Sequence, residues 1–165
     1  MYLRSYSDGS YVSVYGSRCH AGEYNFMGWK KNQWRINSGV SARSTIMDCI
    51  VSSAAECEYG SLFMNARRLV WLPLIASELG YPQECTEIFC DNTCAIGLAH
   101  DSTGMGKSKA MDMRFHWIRD RVKQDLFKVT YIKSEDNVAD MFTKFLPAAD
   151  FKRQSNLINS SFSAR

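Results

Sequence analysis

Apolar and polar positions alternate through residues 2–8 (YLRSYSD), a short aromatic segment that predicts a β-strand ending in a carboxylate. A Gly/Ser-containing stretch separates it from a second predicted strand at 21–29 (AGEYNFMGW), and residues 30–39 read as a polar hairpin closed by Asn-Ser-Gly. Residues 40–53 (VSARSTIMDCIVSS) are rich in β-branched side chains and predict a third strand. The period then changes. Ala55, Tyr59, Leu62, Phe63, Ala66 and Leu69 recur at helical spacing, with Ser52 or Ser53 as the cap of a helix starting near Ala54. Pro73 should kink or divide that helix, because proline lacks a donor and crowds the preceding turn. The pattern resumes to Leu79 and stops at Gly80.

Residues 86–91 (TEIFCD) predict a short buried strand, since Ile88, Phe89 and Cys90 are consecutively apolar. Asn92 or Thr93 caps a short helix reaching His100. A loop holding Gly104, Gly106, Lys107 and Lys109 leads to an amphipathic helix whose stripe is Met111, Phe115, Ile118 and Val122. Residues 128–133 predict a last strand, and Asp136 or Asn137 starts a helix to Lys144 that Pro147 ends. Three consecutive strands form an antiparallel meander, and two later strands, each delivered by a helix, add in parallel. The expected fold is a five-stranded mixed α/β sheet flanked by helices. Residues 1–150 are expected to form one domain and the Ser/Asn-rich residues 151–165 a disordered tail. Met1 runs at once into a predicted core strand, which points to a piece cut from a longer chain.

Composition narrows the class. With 45% apolar residues in 165, a single sizeable core is available, and 22% charged residues argue against a disordered chain. The net charge is only +3, so a nucleic-acid partner would have to meet a local basic face. The six cysteines contain no C-x-x-C pair, which favours reduced, buried thiols over a zinc site or a disulfide framework. No apolar run approaches the length of about 20 residues that spans a bilayer. A soluble protein without a membrane partner is expected.

Four acids fall at informative places. Asp8 ends the first predicted strand and Asp91 the buried fourth; Glu58 is in the first turns of the long helix, and Asp140 is in the opening turn of the last. Functional crevices of open α/β sheets lie beyond strand carboxyl ends. Parallel first and fourth strands would set Asp8 beside Asp91 there, with Glu58 and Asp140 closing a ring. Singly, each acid reads as a solvated carboxylate or a cap. Jointly, they would repel one another and resist ionisation unless cations neutralise them, and hard oxygen donors select Mg²⁺ or Mn²⁺. Two such ions about 3.5–4 Å apart can promote phosphodiester hydrolysis.

The segment SAAECEYGSLFMNARRLVWL resembles the helix motif of copia-type retrotransposon ribonucleases H, usually SSTEAEYxAL. IFCDNTCAI is similar to their YCDNxxAI strand, KSKAMDMRFHWIRDRV to RTKHIDIRYHFIRE, and DNVADMFTKFLP to the terminal xLADxxTKxLP. The four motifs stand in the family's order across residues 40–147. The resemblance implies a ribonuclease H-like domain over residues 1–150 that hydrolyses the RNA strand of RNA/DNA hybrids by two-metal catalysis during reverse transcription. Mg²⁺ would be the cofactor, with Mn²⁺ able to substitute. Asp8, Glu58, Asp91 and Asp140 would be both catalytic and metal-ligating. Glu56 also aligns with an acid of the motif, but it lies two residues from Glu58 and cannot face the same point; Glu58 is the expected ligand and Glu56 the runner-up. The reverse transcriptase encoded upstream would be a partner, and the location a cytoplasmic virus-like particle or the nucleus.

Cellular relatives carry a histidine in a mobile loop before the last acid, whereas none lies between His116 and Asp140 here. Lys133, Glu135 or water is left for that work. Lys107, Lys109 and Arg114, together with Asn92 beside Asp91, are candidate nucleic-acid contacts, although a basic run of this kind is equally a solvated loop and helix start. A decayed or domesticated nucleic-acid-binding module of the same fold is the competing reading. An integrase-like nuclease fits the terminal LADxxTK-like segment less well.

Overall fold

The computed structural model describes residues 2–28, 39–100 and 112–158. Five strands, β1 (Tyr2–Val14), β2 (Arg18–Gly28), β3 (Gly39–Ile46), β4 (Thr86–Cys90) and β5 (Phe127–Tyr131), form one sheet in the order β3-β2-β1-β4-β5. The pairs β1/β2 and β2/β3 are antiparallel, and β1/β4 and β4/β5 are parallel. The mixed sheet expected from the element order is the one observed. Among the described residues five α-helices accompany it: α1 (Ala54–Leu69), α2 (Trp71–Glu78), α3 (Thr93–Ala99), α4 (Asp112–Lys123) and α5 (Ala148–Ile158). No helix among the described residues is long and apolar enough to cross a membrane.

Each sheet face carries its own core, because alternate strand residues point to opposite sides. Leu3, Ile88, Phe127 and Val129 pack with Tyr59, Leu62, Ala66 and Leu69 of α1 and with Phe115 and Ile118 of α4. On the opposite face, Tyr24 and Phe26 gather Val138, Tyr6, Phe142 and Ile158. Tyr59 is fully buried, and its ring lies 4.1 Å from that of Phe115, an aromatic contact that ties α1 to α4.

Several elements differ from expectation for local reasons. β1 does not end at Asp8 but runs to Val14, because β2 is long enough to keep pairing with it, Asp8 opposite Gly22. The third strand stops at Ile46, where Met47 turns inward, 1% exposed, and its amide bonds the Cys19 carbonyl at 2.8 Å. The long helix divides at Val70, which leaves Pro73 in the first turn of α2, where a missing amide costs little. The helix expected from Asp136 or Asn137 to Lys144 is instead two 3₁₀ turns, Ser134–Asp136 and Val138–Phe142. Asn137 between them is extended and spends its side chain on tertiary contacts. Residues 151–158, expected within a disordered tail, are helical: Gln154 of α5 is 2% exposed, and Ile158 packs against the second core. The hairpin residues 30–38 and the loop with Gly104, Gly106, Lys107, Lys109 and Met111 lie outside the described residues. All six cysteines are free thiols, and Cys19, Cys57 and Cys90 are buried.

Candidate metal centre

The register between β1 and β4 sets where Asp8 and Asp91 meet. Tyr6 pairs with Phe89, so two residues further on Asp8 comes level with Asp91, on the face that carries Tyr6 and Phe89. β4 ends at Cys90 while β1 continues, and the sheet opens at this step. The Asp8 carboxylate thus sits mid-strand, just past the end of the parallel pairing rather than at the end of the strand expected from the sequence.

Two glycines bring the other acids in. A Cβ on Gly9 would lie 2.8 Å from the Cys57 carbonyl oxygen, so α1 can approach β1 this closely only at a glycine. The Gly9 amide, thus exposed to the helix, donates to Glu58 Oε2 at 3.0 Å. A Cβ on Gly22, the β2 partner of Asp8, would fall 2.7 Å from both the Ala139 carbonyl oxygen and Thr143 Cγ2. The 3₁₀ turn bearing Asp140 therefore rests directly on the sheet. Asn137, fully buried, pins that turn: its Nδ2 donates to the Ser7 carbonyl at 3.1 Å, and its Oδ1 accepts from the Ala139 amide at 3.2 Å.

Single carboxylate oxygens of Asp8, Asp91 and Asp140 lie within 4.8 Å of one another, and so do ligand atoms of Glu58, Cys90 and Asp91. Asp8 is fully buried, while Glu58 and Asp140 are 7% and 6% exposed. Neutralisation is partial. Lys144 Nζ stands 3.2 Å from Asp8 Oδ1 and 3.1 Å from Asp140 Oδ1. Thr143 Oγ1 donates to Asp8 Oδ2, and Ser134 Oγ donates to Asp91 Oδ2.

The electrostatics follow. Burial pushes the Glu58 carboxyl up to about 9, with Asp8 and Asp91 adding to it while Lys144 and the Gly9 amide oppose. Burial and then Asp8 push Asp140 up to about 7, against Lys144. Burial alone would lower Lys144, but Asp8 and Asp140 outweigh it and its pKa is raised. Burial also raises the Cys90 thiol, which keeps it protonated and a poor competitor to the oxygen donors. Crowded, half-neutralised carboxylates that hold protons where free ones would not are the donor set a hard divalent cation fits.

The remaining expected residues have other surroundings. Glu56 turns away: its Oε2 accepts from the Ser52 amide at 2.7 Å and the Ser52 hydroxyl at 2.8 Å, while Ser53 Oγ caps the Glu56 amide. Asn92 caps α3, its Oδ1 accepting from the Ala95 amide at 3.0 Å. Arg114 Nη1 lies 3.1 Å from Cys49 Sγ, and its guanidinium is 5.8 Å from the centre of the Phe63 ring. Lys133 pairs with Glu135 at 3.9 Å, and Glu135 also meets Arg153 at 3.8 Å. Lys107 and Lys109 lie outside the described residues. Sequence reasoning read Asn137 only as a helix start and gave Gly9, Gly22, Thr143 and Lys144 no place in the site. For the last two, a signal was present in DNVADMFTKFLP, where Lys144 follows Asp140 by four residues.

No protein-family model matches the chain. Among curated proteins, it is 33% identical over 119 residues to the retrovirus-related Pol polyprotein from transposon TNT 1-94 of Nicotiana tabacum, covering 72% of this chain and 9% of that protein. The chain thus spans about a tenth of the length of this relative. Among solved structures, LC11-RNase H1 in complex with an RNA/DNA hybrid superimposes with a TM-score of 0.58 at 16% identity, covering 86% of this chain and 93% of that one. Prototype Foamy Virus protease-reverse transcriptase gives a TM-score of 0.58 at 10% identity, covering 99% of this chain and 21% of that one.

Proposed function

We propose that this chain, a homologue of the retrovirus-related Pol polyproteins of plant transposons with the ribonuclease H fold, hydrolyses the RNA strand of RNA/DNA hybrids using divalent metal ions. The observation that carries the reading is the convergence of Asp8, Asp91 and Asp140 within 4.8 Å, with Glu58 anchored beside them on the Gly9 amide. Asp8, Glu58, Asp91 and Asp140 would hold the ions, Mg²⁺ by chemistry and supply, with Mn²⁺ able to substitute. Bound there, the ions would supply Lewis-acid activation of water and stabilisation of the leaving oxygen.

The chain's own groups do the rest. Asp8, locked by Thr143 and the β1/β2 ladder, orients the site. Glu58 and Asp140, protonated more readily than free carboxylates, would have to give up those protons to hold a cation. Hybrid would be selected by shape and 2′-hydroxyl contacts rather than by base reading, with Asn92, Arg114, Lys107 and Lys109 as the proposed contacts. The reverse transcriptase part of the same polyprotein is the proposed neighbour, in a cytoplasmic particle or the nucleus.

A labelled RNA/DNA hybrid incubated with the purified domain and Mg²⁺ or Mn²⁺ tests this. The wild type should cut the RNA strand, leave duplex DNA intact, and lose activity on the order of a thousandfold in Asp91→Asn. Hybrid binding without any cleavage would favour a decayed binding module. Equal activity in Asp91→Asn would remove the acids from the chemistry.

A further inference from the structure

Lys144 is absent from the four-acid ring expected from the sequence, yet it pairs with two of its members. Its ammonium bridges Asp8 Oδ1 at 3.2 Å and Asp140 Oδ1 at 3.1 Å, on two acids 132 positions apart in the chain. Asp8 has no exposed surface, and its other oxygen is taken by Thr143. A cation entering between Asp8 and Asp140 therefore needs oxygens that Lys144 now occupies. An ammonium and a divalent ion cannot both sit against the same two oxygens, since at about 4 Å like charges repel strongly in a partly buried site.

The side chain is built to yield. Lys144 is 38% exposed, and a four-carbon stem lets the head swing to water without moving the backbone. Ser134 and Thr143 are neutral donors that reorient rather than oppose an ion. Lys144 is thus the one positive charge, among the described contacts of Asp8 and Asp140, that must leave.

We infer that Lys144 is the resident cation of the metal-free site: it holds Asp8 and Asp140 together, is displaced when a divalent ion enters, and so sets the ion concentration at which the site loads. This rests on the reading of the four acids as a metal site. It makes Lys144 a positioning residue, one that acts through the carboxylates.

Two measurements without nucleic acid test it. In calorimetric Mn²⁺ titrations above neutral pH, Lys144→Met should bind Mn²⁺ at least about tenfold more tightly than wild type, a coupling of ordinary size between two cations at one site. Metal-free Lys144→Met should also melt lower than wild type, because its buried carboxylates lose their counter-ion. In the wild type, reductive methylation of lysines followed by mass spectrometry should modify Lys144 faster once Mn²⁺ is added, and this arm does not depend on the variant folding. Unchanged or weaker Mn²⁺ binding in Lys144→Met, or labelling of Lys144 that Mn²⁺ leaves unaltered or slows, would overturn the inference while the metal site stands. Absence of any Mn²⁺ binding that Asp91→Asn removes would instead overturn the metal-site reading, and the inference with it.

Discussion

Glu56 and Glu58 stand two residues apart near the start of α1 and face different partners: Glu56 accepts from the Ser52 amide at 2.7 Å and closes the helix start, whereas Glu58 accepts from the Gly9 amide at 3.0 Å across the gap to β1. A helix turns about 200° over two residues, so one acid facing the sheet end excludes the other. Glu56→Ala should therefore cost about 0.5–2 kcal/mol of stability, as cap losses do, and leave hybrid cleavage near wild type. Glu58→Gln should do the reverse. Urea denaturation and a cleavage assay on both variants decide it, and loss of activity in Glu56→Ala with retention in Glu58→Gln would exchange the two roles.

The acid cluster gives the metal-free protein a particular pH dependence. Folding raises Glu58 to about 9 and Asp140 to about 7, so between their ordinary values and these the folded state binds more protons than the unfolded chain. Stability must then fall as pH rises through that window. Lys144, whose pKa is raised, contributes fully below its ordinary range and adds no slope there. In EDTA, the urea midpoint should be lower at about pH 8.5 than at about pH 6, and Mn²⁺ should lift the higher-pH value most. A flat or rising midpoint in EDTA would mean that neither burial nor the neighbouring acids hold Glu58 and Asp140 protonated in the folded state.

Gly22 tests how tightly the Asp140 turn is seated. The added methyl of Gly22→Ala would meet the Ala139 carbonyl oxygen, which is backbone and cannot swing aside. The turn must lift, at a cost of about 1–3 kcal/mol, and carry Asp140 away from Asp8. Cleavage and Mn²⁺ affinity should fall together. A variant with wild-type melting and wild-type Mn²⁺ affinity would show that the turn has slack.

Asn137→Ala removes the other restraint on the same turn. It leaves the Ser7 carbonyl without the buried amide that bonds it at 3.1 Å, a loss of about 1–3 kcal/mol. Because Asn137 also holds the Ala139 amide, the expected signature is lower thermal stability with weaker Mn²⁺ binding, read by calorimetry. Lower stability with unchanged Mn²⁺ affinity would confine Asn137 to the fold.

Local pattern was enough for much of this molecule. The helical spacing from Tyr59 to Leu69 reflects burial against the sheet, and the apolar run Ile88–Phe89–Cys90 a strand inside it, because burial is written in residue type. The strand order followed from the same source, since three short-linked strands pair antiparallel and helix-delivered strands pair parallel. Glu58, Asp91 and Asp140 were legible as candidates because each stands inside a recognisable motif, and Asp8 because an acid closes the alternating segment 2–8. Where local preference and tertiary contact competed, the sequence misled. Asn137 reads as the start of a helix, but its side chain is drawn to Ser7 in β1, and the backbone there breaks into two 3₁₀ turns. Gln154 reads as tail, yet it is buried in α5. The charge balance of the site was hidden for the same reason. Asp8 and Lys144 are 136 residues apart, and no local period links them. Only the register of β1 on β4, with Gly9 and Gly22 allowing α1 and the Asp140 turn to close on it, brings one ammonium onto two carboxylates, because electrostatic energy depends on distance in space and not along the chain.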